Sequence, residues 1–286
     1  RAAGNAAKSF FLSPTVVSKG KELSTGDHEA TRYRRKPGYQ TQLEVVFKAK
    51  RMGWSRETIG SHIVRNNVIY DCGQNGIVGH LGSAFSEIYN NEIYNIGSKN
   101  EYFGYEIAGI KLHAAIDTQV HHNNIHHCSM GSWFDWQAQG IHLYNNVYHH
   151  NFKDFWFEVT HGPHIVSNNI FGAKYCFLNA AQGGAYVHNL FCGGIYRYDV
   201  IERSTPYHYA HSTDIKGTAV VYGADDRYYN NIFLNTMTSP STQYFAGTAM
   251  YNGSPATLEE YIERVKKHGK GDVEYFMRER QPAYMA

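Results

Sequence analysis

The chain has 286 residues, 42% hydrophobic and 18% charged, enough for one large domain or two ordinary ones with a sizeable core. No apolar run approaches the roughly 18 residues that a bilayer demands, and 27 basic against 25 acidic side chains leave a net charge of +2. A membrane span and a general phosphate-binding field are thereby excluded, so neither membrane nor nucleic acid is expected as a partner.

Tyr (23), Gly (27) and His (17) are abundant, a mixture poor for helices and suited to strands joined by tight turns. Residues 1–50 read as an irregular polar segment or partial rungs. Their basic run, Arg32, Arg34, Arg35 and Lys36, reads as a solvated loop. The chain starts at Arg1 with no charged segment leading into an apolar one, so it carries no address of its own. Cys72, Cys128, Cys176 and Cys192 form no CxxC pair and read as reduced, mostly buried thiols. Unpaired cysteines favour the cytoplasm, but the compartment stays open.

Residues 51–250 contain a repeat. Asn-Asn recurs at 66–67, 90–91, 123–124, 145–146, 168–169 and 230–231, with a degenerate copy at His188-Asn189. The spacings are 24, 33, 22, 23, 20 and 42 residues. They define a rung of about 22 residues, one insertion, and a final interval of two rungs or one rung with a long excursion. A unit this short is below the 33 residues or so of helical repeats, and the chain reads as an all-β parallel β-helix. Asn suits its corners because it tolerates the left-handed conformation and its stacked side chains can bond one another. The residues after each pair, Val68, Ile93, Ile125, Val147, Ile170 and Ile232, are expected to point inward. In residues 251–286, Thr257-Leu258-Glu259-Glu260 is a capping box that opens a short helix ending at Gly269, a cap or decoration leading to a further strand.

Ten residues before successive pairs stand His80, His113, Asp135, Glu158 and Leu178. Equivalent positions stack at about 4.8 Å, so Asp135 and Glu158 should be neighbours on one face. Alternation puts Phe134, Phe155 and Phe157 on one side of the strands and Trp133, Asp135, Trp156 and Glu158 on the other. The phenylalanines take the core, because an ionised carboxylate there is costly to desolvate.

Two stacked acids repel unless neighbours such as Lys111, Lys153 or His113 neutralise them. They equally form the pair, one ionised and one protonated, that glycosidic cleavage needs, at the roughly 5–5.5 Å separation of retaining hydrolysis. Trp133 and Trp156 offer flat faces to a sugar, and Glu106, in or beside the insertion, can project over the groove. The histidines of HHNNIHH, His121, His122, His126 and His127, and then His149 and His150, recur at repeat positions as Tyr does. They are read as stacked surface or corner residues, with no metal site.

Four strings, GYEIAGIKLH (104–113), GSWFDWQAQGIHLYNN (131–146), FWFEVTHGP (155–163) and PYHYAHST (206–213), resemble glycoside hydrolase family 120, β-xylosidases built on a right-handed parallel β-helix. The resemblance runs over most of residues 40–285. It implies that Asp135, in WFDW, is the nucleophile and Glu158, in WFEV, the general acid/base. Glu106, in GYEIAG, then helps to hold the sugar, with His113, Trp133 and Trp156 as further substrate contacts. The expected activity is retaining, exo-acting release of xylose from β-1,4-xylo-oligosaccharides without a cofactor. Family members are about twice as long, so the chain reads as a fragment lacking N-terminal rungs, a β-sandwich subdomain and a C-terminal portion. Association with like chains is left open. The alternatives are a polysaccharide lyase, which wants a Lys or Arg base and clustered acids holding calcium, and a non-catalytic carbohydrate-binding solenoid.

Overall fold

The computed structural model describes residues 46–99 except 47, 106–223, 225–237 and 243–252, and residues 257, 259, 260, 263 and 267. It also describes the backbone of 10–12, 17–18 and 21–22, and of the side chains in this range those of 201–204 are not described. The basic run at 32–36 and Gly269 fall outside these residues.

The described chain is mostly β-strand, and successive repeats lay equivalent strands side by side in parallel, in three stacks. The first stack takes Asn75–His80, Ala108–His113, Met130–Asp135, the first part of Lys153–Ser167, the first part of Tyr175–Val187, and Gly194–Arg197. Phe10–Leu12 pairs with its Asn75–His80 edge. The second takes Ile63–Arg65, Glu87–Tyr89, Gln119–His121, His142–Tyr144, the ends of the two long strands, and Arg227–Tyr229. The third runs from Val68–Tyr70 through Glu92–Tyr94, Asn124–His126, Val147–His149, Ile170–Phe171 and Leu190–Phe191 to Ile232–Phe233.

Asparagine sets the corner between the second and third stacks. Asn66, Asn90, His122, Asn145, Asn168, His188 and Asn230 all have φ between 49° and 57°, in the left-handed region. The residue after each forms a ladder of side-chain amides: Asn67, Asn91, Asn123, Asn146, Asn169, Asn189 and Asn231 bond one to the next at 2.9–3.0 Å. All but the first and last are buried. Each buried amide therefore has partners along the axis, and its Nδ2 also donates to a backbone carbonyl, as Asn91 does to Val64 O.

This ladder corrects the expected register. Val68, Val147, Ile170 and Ile232 are 55%, 38%, 44% and 61% exposed, whereas Ile93 and Ile125 are buried. The ladder asparagine is the second of most pairs but the first of Asn123-Asn124, and alternation turns the second residue after it inward. That residue is Ile69, Ile93, Ile125, Tyr148, Phe171 or Phe191, each buried in the central core. Here and in the first stack rings stack along the axis, Phe155 on Phe177 at 4.0 Å, Tyr148 on Phe171 at 5.2 Å and Phe171 on Phe191 at 5.1 Å.

The 42-residue interval is one repeat with an excursion. Between Gly194–Arg197 and Arg227–Tyr229 the chain leaves to form an antiparallel hairpin, Val200–His208 with Ile215–Val221. The hairpin seats on the turns between the first two stacks: His208 N donates to Gln139 Oε1 at 2.8 Å, and Gln139 Nε2 to His208 O at 3.0 Å. Trp54, fully buried, donates its indole N–H to Leu81 O at 2.7 Å and meets the ring of His208 edge-on at 5.8 Å. Near the other end Glu259, Glu260, Glu263 and Lys267 are helical, and Glu260 N donates to Thr257 Oγ1 at 3.2 Å, half of the capping box. The four cysteines are free thiols, three of them buried.

Candidate active site

The site stands on the outer side of the first stack. Met130–Asp135 lies between Ala108–His113 and Lys153–Ser167, with Trp133 opposite Lys111 and Trp156, Phe134 opposite Leu112 and Phe157, and Asp135 opposite His113. That register carries Asp135 to the position beside Glu158. Phe134, Phe155 and Phe157 are fully buried on the inner side, as alternation requires. One member of the expected column is displaced. Glu158 faces Ala180, while Leu178 lies two positions back, opposite Trp156. The interval from the column to the ladder asparagine is shorter in that repeat, so counting back from it overshoots.

Asp135 is surrounded by donors. Its Oδ2 lies 2.5 Å from Lys111 Nζ and 3.2 Å from His113 Nε2, and its Oδ1 accepts the Trp136 backbone N–H at 2.5 Å. Lys111 is fully buried and reaches Glu106 Oε2 at 2.7 Å, while His113 Nε2 lies 3.0 Å from the same oxygen. Glu106 sits at φ 74°, in the left-handed region. Burial raises its pKa, but the hydrogen bond and charge of His113 and the charge of Lys111 outweigh that and bring it to about 2. His80 continues the column, its ring edge-on to His113 at 5.1 Å. Burial and the charge of His113 push it down to about 3, so it is neutral.

Glu158 has a different setting. Its Oε2 accepts the indole N–H of Trp133 at 3.0 Å. Trp133 is sandwiched: Lys111 Nζ lies 3.1 Å from its ring centroid, and Trp156 stacks on it at 4.3 Å and 18°. Trp156 has Leu178 beyond it in register. The two tryptophans thus stand beside the acids, with Trp133 buried and both of its faces covered, by Lys111 and Trp156. Lys153, one of the candidate neutralisers, is opposite Met130 at the far end of the strand. Lys111 and His113 are the groups that meet Asp135.

Glu106, His113 and Asp135 are also close enough to hold an ion among them. Lys111 already places its ammonium against both carboxylates, so a cation occupies that position as part of the chain.

Tyr198, which the sequence reading passed over, is drawn into the site. Burial, then the charge of Glu158 and more weakly that of Asp135, raises its phenol. The signal was the alternation Tyr196, Tyr198, with Tyr196 opposite Leu178 and so two strands beyond Trp156 in the tryptophan column. Two clefts elsewhere on the molecule, of about 200 and 450 Å³, lie at the turns near Asp117, Gly140 and His211 and contain neither acid.

No protein-family model matches the chain, and no curated protein does. A solved structure does: the complex structure of XylC with xylose, 52% identical, with a TM-score of 0.80 over 95% of this chain. The chain spans 41% of the length of that protein. A likeness of this extent bears out, from structure, the resemblance to glycoside hydrolase family 120 read from the four sequence strings.

Proposed function

We propose that the chain carries the catalytic face of a retaining, exo-acting β-xylosidase built on a right-handed parallel β-helix, the face lying within residues 51–250. The observation that carries this reading is the contrast between two acids at neighbouring register positions. Asp135 has Lys111 and His113 on its carboxylate, whereas Glu158 is bonded by the neutral indole of Trp133. The ammonium of Lys111 held against Asp135 suits an attacking carboxylate, and the resemblance assigns the proton-carrying role to Glu158. Adjacent parallel strands are about 4.8 Å apart, in keeping with the roughly 5–5.5 Å between carboxyl groups of retaining enzymes and short of the roughly 6.5–9.5 Å of inverting ones. XylC was solved with xylose, which supports a xyloside as substrate.

In the first step Asp135 attacks the anomeric carbon while Glu158 gives its proton to the departing oxygen. In the second, Glu158 takes a proton from water, which displaces Asp135 and frees xylose. Glu106 and His113, bonded to each other, with Glu106 also paired to Lys111, offer a carboxylate and an imidazole to sugar hydroxyls. Trp133 positions Glu158, and Trp156 backs Trp133 by stacking on its ring. A lyase needs an accessible cationic base; Lys111 is fully buried and engaged by two carboxylates. The test is an aryl β-xyloside: this reading expects release of the phenol, and a lyase or a simple binder releases none.

A further inference from the structure

Far from the acids, the corner after the third stack holds a two-by-two array of imidazoles. His126 and His127 come from one repeat and His149 and His150 from the next. Across repeats His126 stacks on His149 at 4.6 Å and His127 on His150 at 4.9 Å, the latter pair within 4° of parallel. Within each repeat the two rings are nearly perpendicular, with Nδ1 atoms 2.8 Å apart in His126-His127 and 2.7 Å in His149-His150.

For neutral rings these contacts are satisfied by one set of tautomers. His149 Nε2 lies 3.1 Å from Asn124 Oδ1, which only accepts, so this nitrogen carries the proton and His149 Nδ1 is bare. His150 must then donate its own Nδ1–H, which leaves His150 Nε2 a bare lone pair. The same relay runs from Glu92 Oε1, 3.4 Å from His126 Nε2, to a bare His127 Nε2. His127 and His150 are exposed, so two unprotonated nitrogens stand on parallel rings of neighbouring strands. An imidazole anchored through one N–H, with the other nitrogen bare, is the form in which histidine binds metals, and the anchor is the outer partner that metal-binding histidines keep. A third dyad shows the contrast. His121 Nε2 faces Glu87 Oε1 at 2.9 Å and its Nδ1 meets that of His122 at 2.8 Å, but His122 Nε2 is taken by the amide of Asn145 at 3.3 Å.

We propose that His127 and His150 form a surface site for a divalent transition-metal ion of the nickel, copper or zinc class, clamping two successive repeats, with His126 and His149 as the supporting shell. Imidazole suits these ions, and metal–nitrogen bonds of about 2.0–2.1 Å require the two Nε2 atoms to close to about 4 Å or less, a side-chain rotation open to exposed rings. Water completes the coordination, so the ion exchanges. Among the described residues Glu92 is a charged group beside the array, its Oε1 3.4 Å from His126 Nε2.

The test is isothermal titration of the full chain with nickel chloride at pH 7.5, beside His127→Asn/His150→Asn and, separately, Glu106→Gln. Asn fits both positions, since Asn95 occupies the same corner conformation at φ 55° next to φ 54° and 55° at the two histidines. The expected result is one saturable nickel per chain and a rise in thermal midpoint with nickel, both weakened at least tenfold or lost in the histidine double variant and kept in Glu106→Gln. Binding that survives the double variant and disappears with Glu106→Gln, or no saturable binding in the parent chain, overturns the proposal. None of these readouts depends on xyloside cleavage.

Discussion

The indole N–H of Trp133 donates to Glu158 Oε2 at 3.0 Å, so an aromatic side chain of one repeat orients the acid of the next. Trp133 is itself held between Lys111 and Trp156, which leaves its ring little freedom to turn. Trp133→Phe keeps the stack and removes the donor. The lost hydrogen bond, about 0.5–1.5 kcal/mol, corresponds to a fall of about 2- to 10-fold in kcat/KM on an aryl xyloside. Steady-state kinetics checks this, and a change under twofold contradicts the positioning role.

The asparagine ladder is the expected seat of stability. Asn146 donates to Val120 O at 2.9 Å and to Asn169 Oδ1 and Tyr144 O at 3.0 Å, and accepts the backbone N–H and side-chain amide of Asn123, both at 3.0 Å. Asn146→Ala leaves several of these groups unpaired in a dry corner, at about 1–3 kcal/mol each. A loss of about 3 kcal/mol or more in urea unfolding is expected, against about 0.5 kcal/mol or less for Ile170→Thr on the exposed side. Equal losses at the two positions contradict the register.

Two buried groups give opposite pH dependences. Burial raises Asp154 to about 7, against the bonds from Ala173 N and Asn151. Between about 4 and 7 the folded state therefore holds the extra proton, and this contribution to stability, full below about 4, is lost as pH rises to 7. Burial lowers His161 to about 4, so there the unfolded chain binds the extra proton and stability is lost as pH falls from about 6.5 towards 4. Thermal midpoints should accordingly shift in favour of Asp154→Asn, relative to the parent, on going from pH 4 to 7. They should shift in favour of His161→Gln on going from pH 7 to 4. Parallel pH profiles for parent and variants contradict the assignment.

Sequence periodicity was enough to find the repeat and the core phenylalanines. It put Val68, Val147, Ile170 and Ile232 inside, because a visible Asn-Asn pair does not say which member builds the ladder. Asn123-Asn124 follows a histidine that has taken the left-handed position, and only hydrogen bonds reveal the offset. Leu178 was displaced for a related reason, since a repeat shortened on one side of the column breaks a count made from the other. The cover that Lys111 places on the face of Trp133 was not legible, because Lys111 lies one strand away and more than 20 residues distant in sequence. The hairpin at 200–221 has no repeat signal at all, and its seat on Gln139, His161 and Gln182 depends on buried polar contacts that pattern does not encode.

The central claim is that Asp135 attacks and Glu158 carries the proton. The most direct measurement is azide rescue of the two alanine variants on an activated aryl xyloside, with the anomeric configuration of the product read by NMR. Glu158→Ala should still form the glycosyl-enzyme, show a burst, and turn over faster with azide to give the β-glycosyl azide, since a small anion replaces the water that needs a base. Asp135→Ala should give neither burst nor β-azide. A β-azide from the Asp135 variant, with the Glu158 variant unresponsive, contradicts the account and exchanges the roles of the two acids.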